Sequence, residues 1–203
     1  AVLIGTADAA VDMTSISGDA TKTFTVTANV SFTGTLAATT SVASNATLTL
    51  TAAKATGKTI AGADANVSQT GGSIIVTGLG ASQVSLTGLS AGGAGSGTAG
   101  TVTAGVSTNA VLHSSTALGD AIVSVDSGVT LTLTSAQANN QTISGAGGVT
   151  INALALGAVL TNLTASGTVT ANVAADTNYT ANSTLSAVDA YVVASSAVAT
   201  LTS

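Results

Sequence analysis

The chain has 203 residues, a net charge of −5 and only 5% charged residues, which excludes a nucleic-acid binder, since that needs a basic face toward the phosphate backbone. Cysteine is absent, so a disulfide framework and thiolate chemistry are excluded too. Large core side chains are scarce (two Phe, two Tyr, one Met, no Trp), whereas a compact globule of this size buries many; small β-branched residues suit a thin, regular stack instead.

At the start, "AVLIGTADAAVDM" is apolar in places but lacks the basic opening of a signal peptide. It is read either as following a removed signal or as the edge of a piece cut from a longer protein. No run of about 18 apolar residues exists, so a membrane-spanning helix is not expected. With 45% hydrophobic residues and little charge, the chain is expected to be ordered rather than disordered.

The first strong element is "TFTVTANVSFTGTLA", where Phe24, Val26, Ala28, Val30, Phe32 and Leu36 fall on even positions. Period two with β-branched residues on both faces predicts a half-buried strand, bent near Gly34. The same alternation predicts strands at Thr47–Thr51, Val84–Leu89, Val129–Thr134 and Thr168–Val173. Helix is expected only as single turns at Ala52–Ala55 and Ser135–Ala138, because Thr, Ser, Gly and Val disfavour helix interiors. Proline is absent, so Gly, Asn, Asp and Ser must make the turns, at 70–72, 126–128 and 145–148 among others.

A repeat organises these elements. "LTLTAAKATGKTIAG" at 48–62 returns 83 residues on as "LTLTSAQANNQTISG" at 131–145, identical at Leu48–Thr51, Ala53, Ala55, Thr59, Ile60 and Gly62. "TVTANV" occurs at both 25–30 and 168–173. Repeated strand units suggest stacking, since one unit alone buries too little. The fold class is therefore all-β, with a parallel β-solenoid favoured and two tandem β-sandwich modules as the alternative. The expected division is a β-rich unit over 1–92, a Gly-rich segment over 93–100 and a second β-rich unit over 101–203. The Gly-rich segment reads equally as a linker or as a wide turn of a stacked fold.

Catalytic constellations are lacking. His113 is the sole imidazole, there is no GxSxG elbow, and no enzyme is expected. Eight aspartates sit mostly in turns, where Asp ordinarily bonds its own backbone but where oxygen ligands can also hold Ca²⁺. Asp8 with Asp12, and Asp64 with a neighbouring carbonyl, are the candidate calcium ligands. No DxDxDG loop or calcium nonapeptide accompanies them. TxT pairs suggest a water-ordering face, but their spacing is irregular. Lys54 and Lys58 become Gln137 and Gln141 in the second copy, so both lysines are read as solvated surface.

"VTLTLTSAQANNQTISGAGGVTI" at 129–151 and its sibling at 48–62 resemble repeats of large secreted bacterial surface proteins, the S-layer-like proteins and adhesins. The resemblance covers about half the chain. It implies an extracellular, cell-surface, often calcium-stabilised structural protein with no catalytic residues to carry over. The expected function is a self-assembling component of a surface layer or filament, with an adhesin stalk or binding module as the alternative. Expected partners are copies of itself, and cell-surface polysaccharide or a host surface.

Overall fold

The structure, a computed structural model, describes residues 2–3, 23–36 and 39–201. In chain order the strands are β1 (Val2–Leu3), β2 (Thr23–Val26), β3 (Val30–Ser31), β4 (Thr39–Val42) and β5 (Thr47–Thr51), followed by the helical turn α1 (Ala52–Ala55). Then come β6 (Thr59–Gly62), β7 (Ser73–Thr77), β8 (Leu89–Ser90), β9 (Val102–Val106), β10 (Ala110–Val111), β11 (Ile122–Val125) and β12 (Thr130–Thr134). The helical turn α2 (Ser135–Ala138) precedes β13 (Ile143–Gly145), β14 (Gly148–Asn152), β15 (Val169–Val173), β16 (Thr177–Asn178), β17 (Ala190–Val193) and β18 (Ala199–Thr200).

The described strand pairs are parallel, as in β4 with β6, β5 with β7 and β12 with β14. Parallel pairing of strands this short, each joined to its partner by a further strand and corners, is a β-solenoid. A sandwich of hairpins would pair antiparallel. The long run at 23–36 is broken into β2 and β3 by a corner at 27–29. Its in-and-out alternation survives the corner because both strands face the same interior.

The chain divides into two compact units. The first comprises Ala1–Gly78, Val84–Ala104 and Ala117–Ala121, and the second Leu79–Gln83, Gly105–Thr116 and Ile122–Ser203. Strands successive in a solenoid chain lie in different sheets, so neighbouring segments need not pack together.

In the first unit one sheet runs β1-β2-β4-β6-β8, and a second ladder runs β3, β5, β7, β9. Register stacks like on like. Phe24, Thr40, Ile60 and Leu89 form one inward column, and Val30, Leu48, Ile74 and Val102 another, all buried. Phe24 and Phe32 meet with ring centroids 6.0 Å apart, tilted by 50°. In the second unit the sheet β10-β12-β14-β15-β17 stacks Ala110, Leu131, Val149 and Val169 inward, while Thr132, Thr150 and Thr170 stack on the outer face.

Glycine sets the spacing at one corner of the first unit. The Gly72 N–H donates to Ala63 O at 2.9 Å, Gly92 to Gly72 O at 3.0 Å and Gly100 to Gly92 O at 2.9 Å. A Cβ on Gly92 would collide with Ala63 O, and one on Gly72 with Val42 O, both backbone atoms. Residues 93–100 belong to this packing. Thr98 bridges in parallel to Thr70 and donates its N–H to Gln69 O at 2.9 Å, and Thr98 O accepts Gly71 N–H at 2.8 Å. The segment is a turn of the stack within the first unit, not a linker.

Two stability outcomes follow from this packing. Gly92→Ala should lower stability by about 3 kcal/mol, because only backbone could move to admit the methyl group. The Thr40 hydroxyl is buried without a hydrogen-bond partner among the described residues, between Phe24 and Ile60 in register. Thr40→Val should therefore raise stability by about 1 kcal/mol, read as a higher midpoint in thermal or urea unfolding.

Candidate functional site

Each rung of a solenoid must satisfy its backbone from the rungs on either side, and corners are where main-chain carbonyls turn away. Side-chain oxygens replace them. Asn29 Oδ1 accepts Thr47 N–H at 2.9 Å, and Asn45 Oδ1 accepts Thr70 N–H at 2.8 Å. In the second unit Asn109 Oδ1 accepts Thr130 N–H and Asn139 Oδ1 accepts Val159 N–H, both at 2.8 Å. Asn45 holds a positive φ of 60°, a conformation Asn tolerates better than most residues.

The aspartates join the same system. Asp64 Oδ1 accepts Gly93 N–H at 2.7 Å, Asp176 Oδ1 accepts Val198 N–H at 2.8 Å and Asp189 Oδ2 accepts Val169 N–H at 2.8 Å. Asp64, the one calcium candidate within the described residues, thus has an oxygen engaged in corner capping. Asp8 and Asp12 lie outside them. Among the described residues no group of three or more His, Cys, Asp or Glu is placed to hold a metal ion.

The lysines are not simply solvated. Lys54 Nζ donates to Gly34 O at 2.7 Å, and Lys58 Nζ donates to Leu36 O at 3.0 Å, so each half-buried chain reaches back one rung. In the second copy Gln137 Nε2 donates to His113 O at 2.8 Å and to Thr116 O at 3.1 Å. Gln137 also completes a capping box with Thr134, the Gln137 N–H reaching Thr134 Oγ1 and the Thr134 N–H reaching Gln137 Oε1. Lys-to-Gln exchange keeps the donor and the reach, and those are what the position requires. His113 is exposed, and its Nδ1 accepts Ser115 N–H at 3.1 Å in a turn.

The last rung of the second unit is different in kind. β17 pairs with β15 and β18 with β16, each the outermost strand of its sheet among the described residues. Register places Tyr191 beside Ala171 and Val193 beside Val173, continuing the inward columns. Val173 is 2% exposed, whereas Val193 is 39% exposed. A hollow of about 290 Å³ opens here, lined by Tyr179, Asn182, Leu185, Tyr191 and Leu201 among others. Tyr179 is buried and its hydroxyl donates to Leu154 O at 2.6 Å. Burial, reinforced by the neighbouring Tyr179, pushes the Tyr191 phenol above its usual pKa.

Four of the eight exposed large hydrophobic residues among those described lie in this rung: Val192, Val193, Val198 and Leu201. Sequence reasoning passed over it. The signal was available in "AYVVASSAVATL", which carries no charge and puts valines at consecutive positions, so one must face outward.

No helix among the described residues is long and apolar enough to cross a membrane. No family model, curated protein or solved structure matches the chain.

The inter-rung role of the lysine predicts an ordered series. Lys54→Met should cost about 1 kcal/mol by leaving Gly34 O without its donor, while Lys54→Gln should recover most of that loss. Urea midpoints of the two variants against wild type read the difference.

Proposed function

We propose that this chain is a structural, non-enzymatic protein that assembles with copies of itself, as a component of a bacterial surface layer or extracellular filament. A cluster of exposed apolar side chains, Val192, Val193, Val198 and Leu201, on an otherwise regular parallel stack carries the reading. The outer faces add to it. Thr, Ser and Asn side chains can pack against another surface without desolvating charge. The sequence resemblance to secreted surface proteins supplies the location, outside the cell at the surface. The second reading is an adhesin stalk, favoured by the repetitive parallel ladder, which makes a spacer whose length scales with rung number. Its partners would be a cell-surface polysaccharide or a host surface.

Negative-stain microscopy of the purified chain separates the two readings. Ordered assemblies are expected; persistent monomers at high concentration would leave the stalk reading in place. Repeating the grids with chelator tests the calcium expectation, since assemblies that disappear with chelator and return with Ca²⁺ would establish a metal role.

A further inference from the structure

We infer that Asn66 is an N-glycosylation acceptor, its side-chain Nδ2 taking a sugar from a glycosyl diphosphate donor. The inference does not depend on self-assembly, and either can fail alone.

The acceptor motif is Asn-x-Ser/Thr, with the glycan carried on the asparagine amide. One tetrapeptide containing it occurs twice, "ANVS" at 28–31 and at 65–68. The letters are the same and the surroundings differ. In the first copy Asn29 Oδ1 accepts Thr47 N–H at 2.9 Å, Val30 is buried and Ser31 lies in β3. That carboxamide is held as a corner cap, and the triplet is woven into a ladder. In the second copy the triplet forms a turn between β6 and β7. Asn66, Val67 and Ser68 are all exposed, Val67 by 73%. The Gln69 N–H closes the turn on Asn66 O at 3.0 Å, and Gln69 Oε1 accepts Asn66 N–H at 3.2 Å. Bonds on either side hold the base of the turn: Ala65 N–H to Gly93 O at 3.0 Å and Thr70 N–H to Asn45 Oδ1 at 2.8 Å.

None of these bonds uses the Asn66 carboxamide, which has no hydrogen bond among the described residues. Asn is favoured in turns because its side chain bonds nearby backbone or because it tolerates a positive φ. Asn66 does neither. The asparagines that open the other triplets each have such a reason. Asn45 and Asn178 accept backbone N–H groups, Asn162 and Asn182 donate Nδ2 to backbone carbonyls, and Asn140 holds a φ of 58°. Asn66 alone presents the motif on an exposed turn with its amide unengaged and no backbone duty that calls for Asn.

In the transfer, a bond forms between Asn66 Nδ2 and the anomeric carbon of the sugar. The bond from that carbon to the diphosphate oxygen breaks, its electron pair leaving on the diphosphate, and one Nδ2 proton passes to a base of the transferase. A polyprenyl diphosphate and a nucleoside diphosphate present the sugar through this same linkage.

Glycopeptide mass spectrometry of the chain isolated from its source cells tests the assignment, with the repeated tetrapeptide as internal control. Peptides spanning Asn66 should carry a glycan and those spanning Asn29 should not. A bare Asn66 would overturn the inference, and so would glycans on both copies, since the motif alone would then decide. Asn66→Gln should abolish incorporation at the turn, while Asn29→Asp, which keeps the capping oxygen, should leave it unchanged; circular dichroism should be unaltered in both. To identify the donor, the folded chain is incubated with an oligosaccharyltransferase and a polyprenyl-diphosphate oligosaccharide, or with a soluble N-glycosyltransferase and a nucleoside-diphosphate sugar. Labelling of Asn66 supports the inference, and the mixture that labels it names the donor. Labelling in neither would overturn it.

Discussion

The parallel backbone ladder is the constraint on which everything else here depends. Each rung borrows its hydrogen-bond partners from the next, so strands must return at the same height, in register, turn after turn. Where the chain corners, the ladder would lose acceptors, and the corner residues are selected to replace them. Asn29, Asn45, Asn109 and Asn139 do this with carboxamides, and Asp64 and Asp176 with carboxylates. Much of the scarce charge in the described residues thus takes part in the ladder's hydrogen bonding.

The same constraint explains how the two copies diverge. Lys54 and Lys58 bind the carbonyls of Gly34 and Leu36, and in the second copy Gln137 reaches the carbonyls of His113 and Thr116. What persists is a donor of sufficient length at a fixed place on the one-turn helix. Charge is incidental to that geometry. The phrase changes its chemistry between copies while holding its shape.

The solenoid was legible because inward positions alternate by twos and bulky residues are few. The one-turn helices were legible because Ala, Lys and Gln follow each TLTLT strand. Corners were harder to read. "TVTANV" turns a corner after Val26 in its first occurrence and runs straight as Val169–Val173 in its second. In the first, Asn29 caps Thr47; in the second, Asn172 Nδ2 donates along the outer face to Asn152 Oδ1 at 2.7 Å. Identical local sequence has two structures because alternation is preserved through either path, and the adjacent rung decides which is used. The Gly-rich stretch was ambiguous for a related reason. Glycine marks flexibility and close backbone approach equally, and only the neighbouring carbonyls, such as Ala63 O above Gly92, distinguish them. The partners of the two lysines were invisible because they are main-chain atoms about one rung away, which no spacing rule identifies.

The corner bonds also carry information about time. They join residues separated by short stretches of chain, from 18 between Asn29 and Thr47 to 29 between Asp64 and Gly93. No rung waits for a distant part of the sequence before it can close, so each completed turn is the template for the one that follows. Such a chain can acquire structure in the order in which it emerges, whether from a ribosome or a secretion pore.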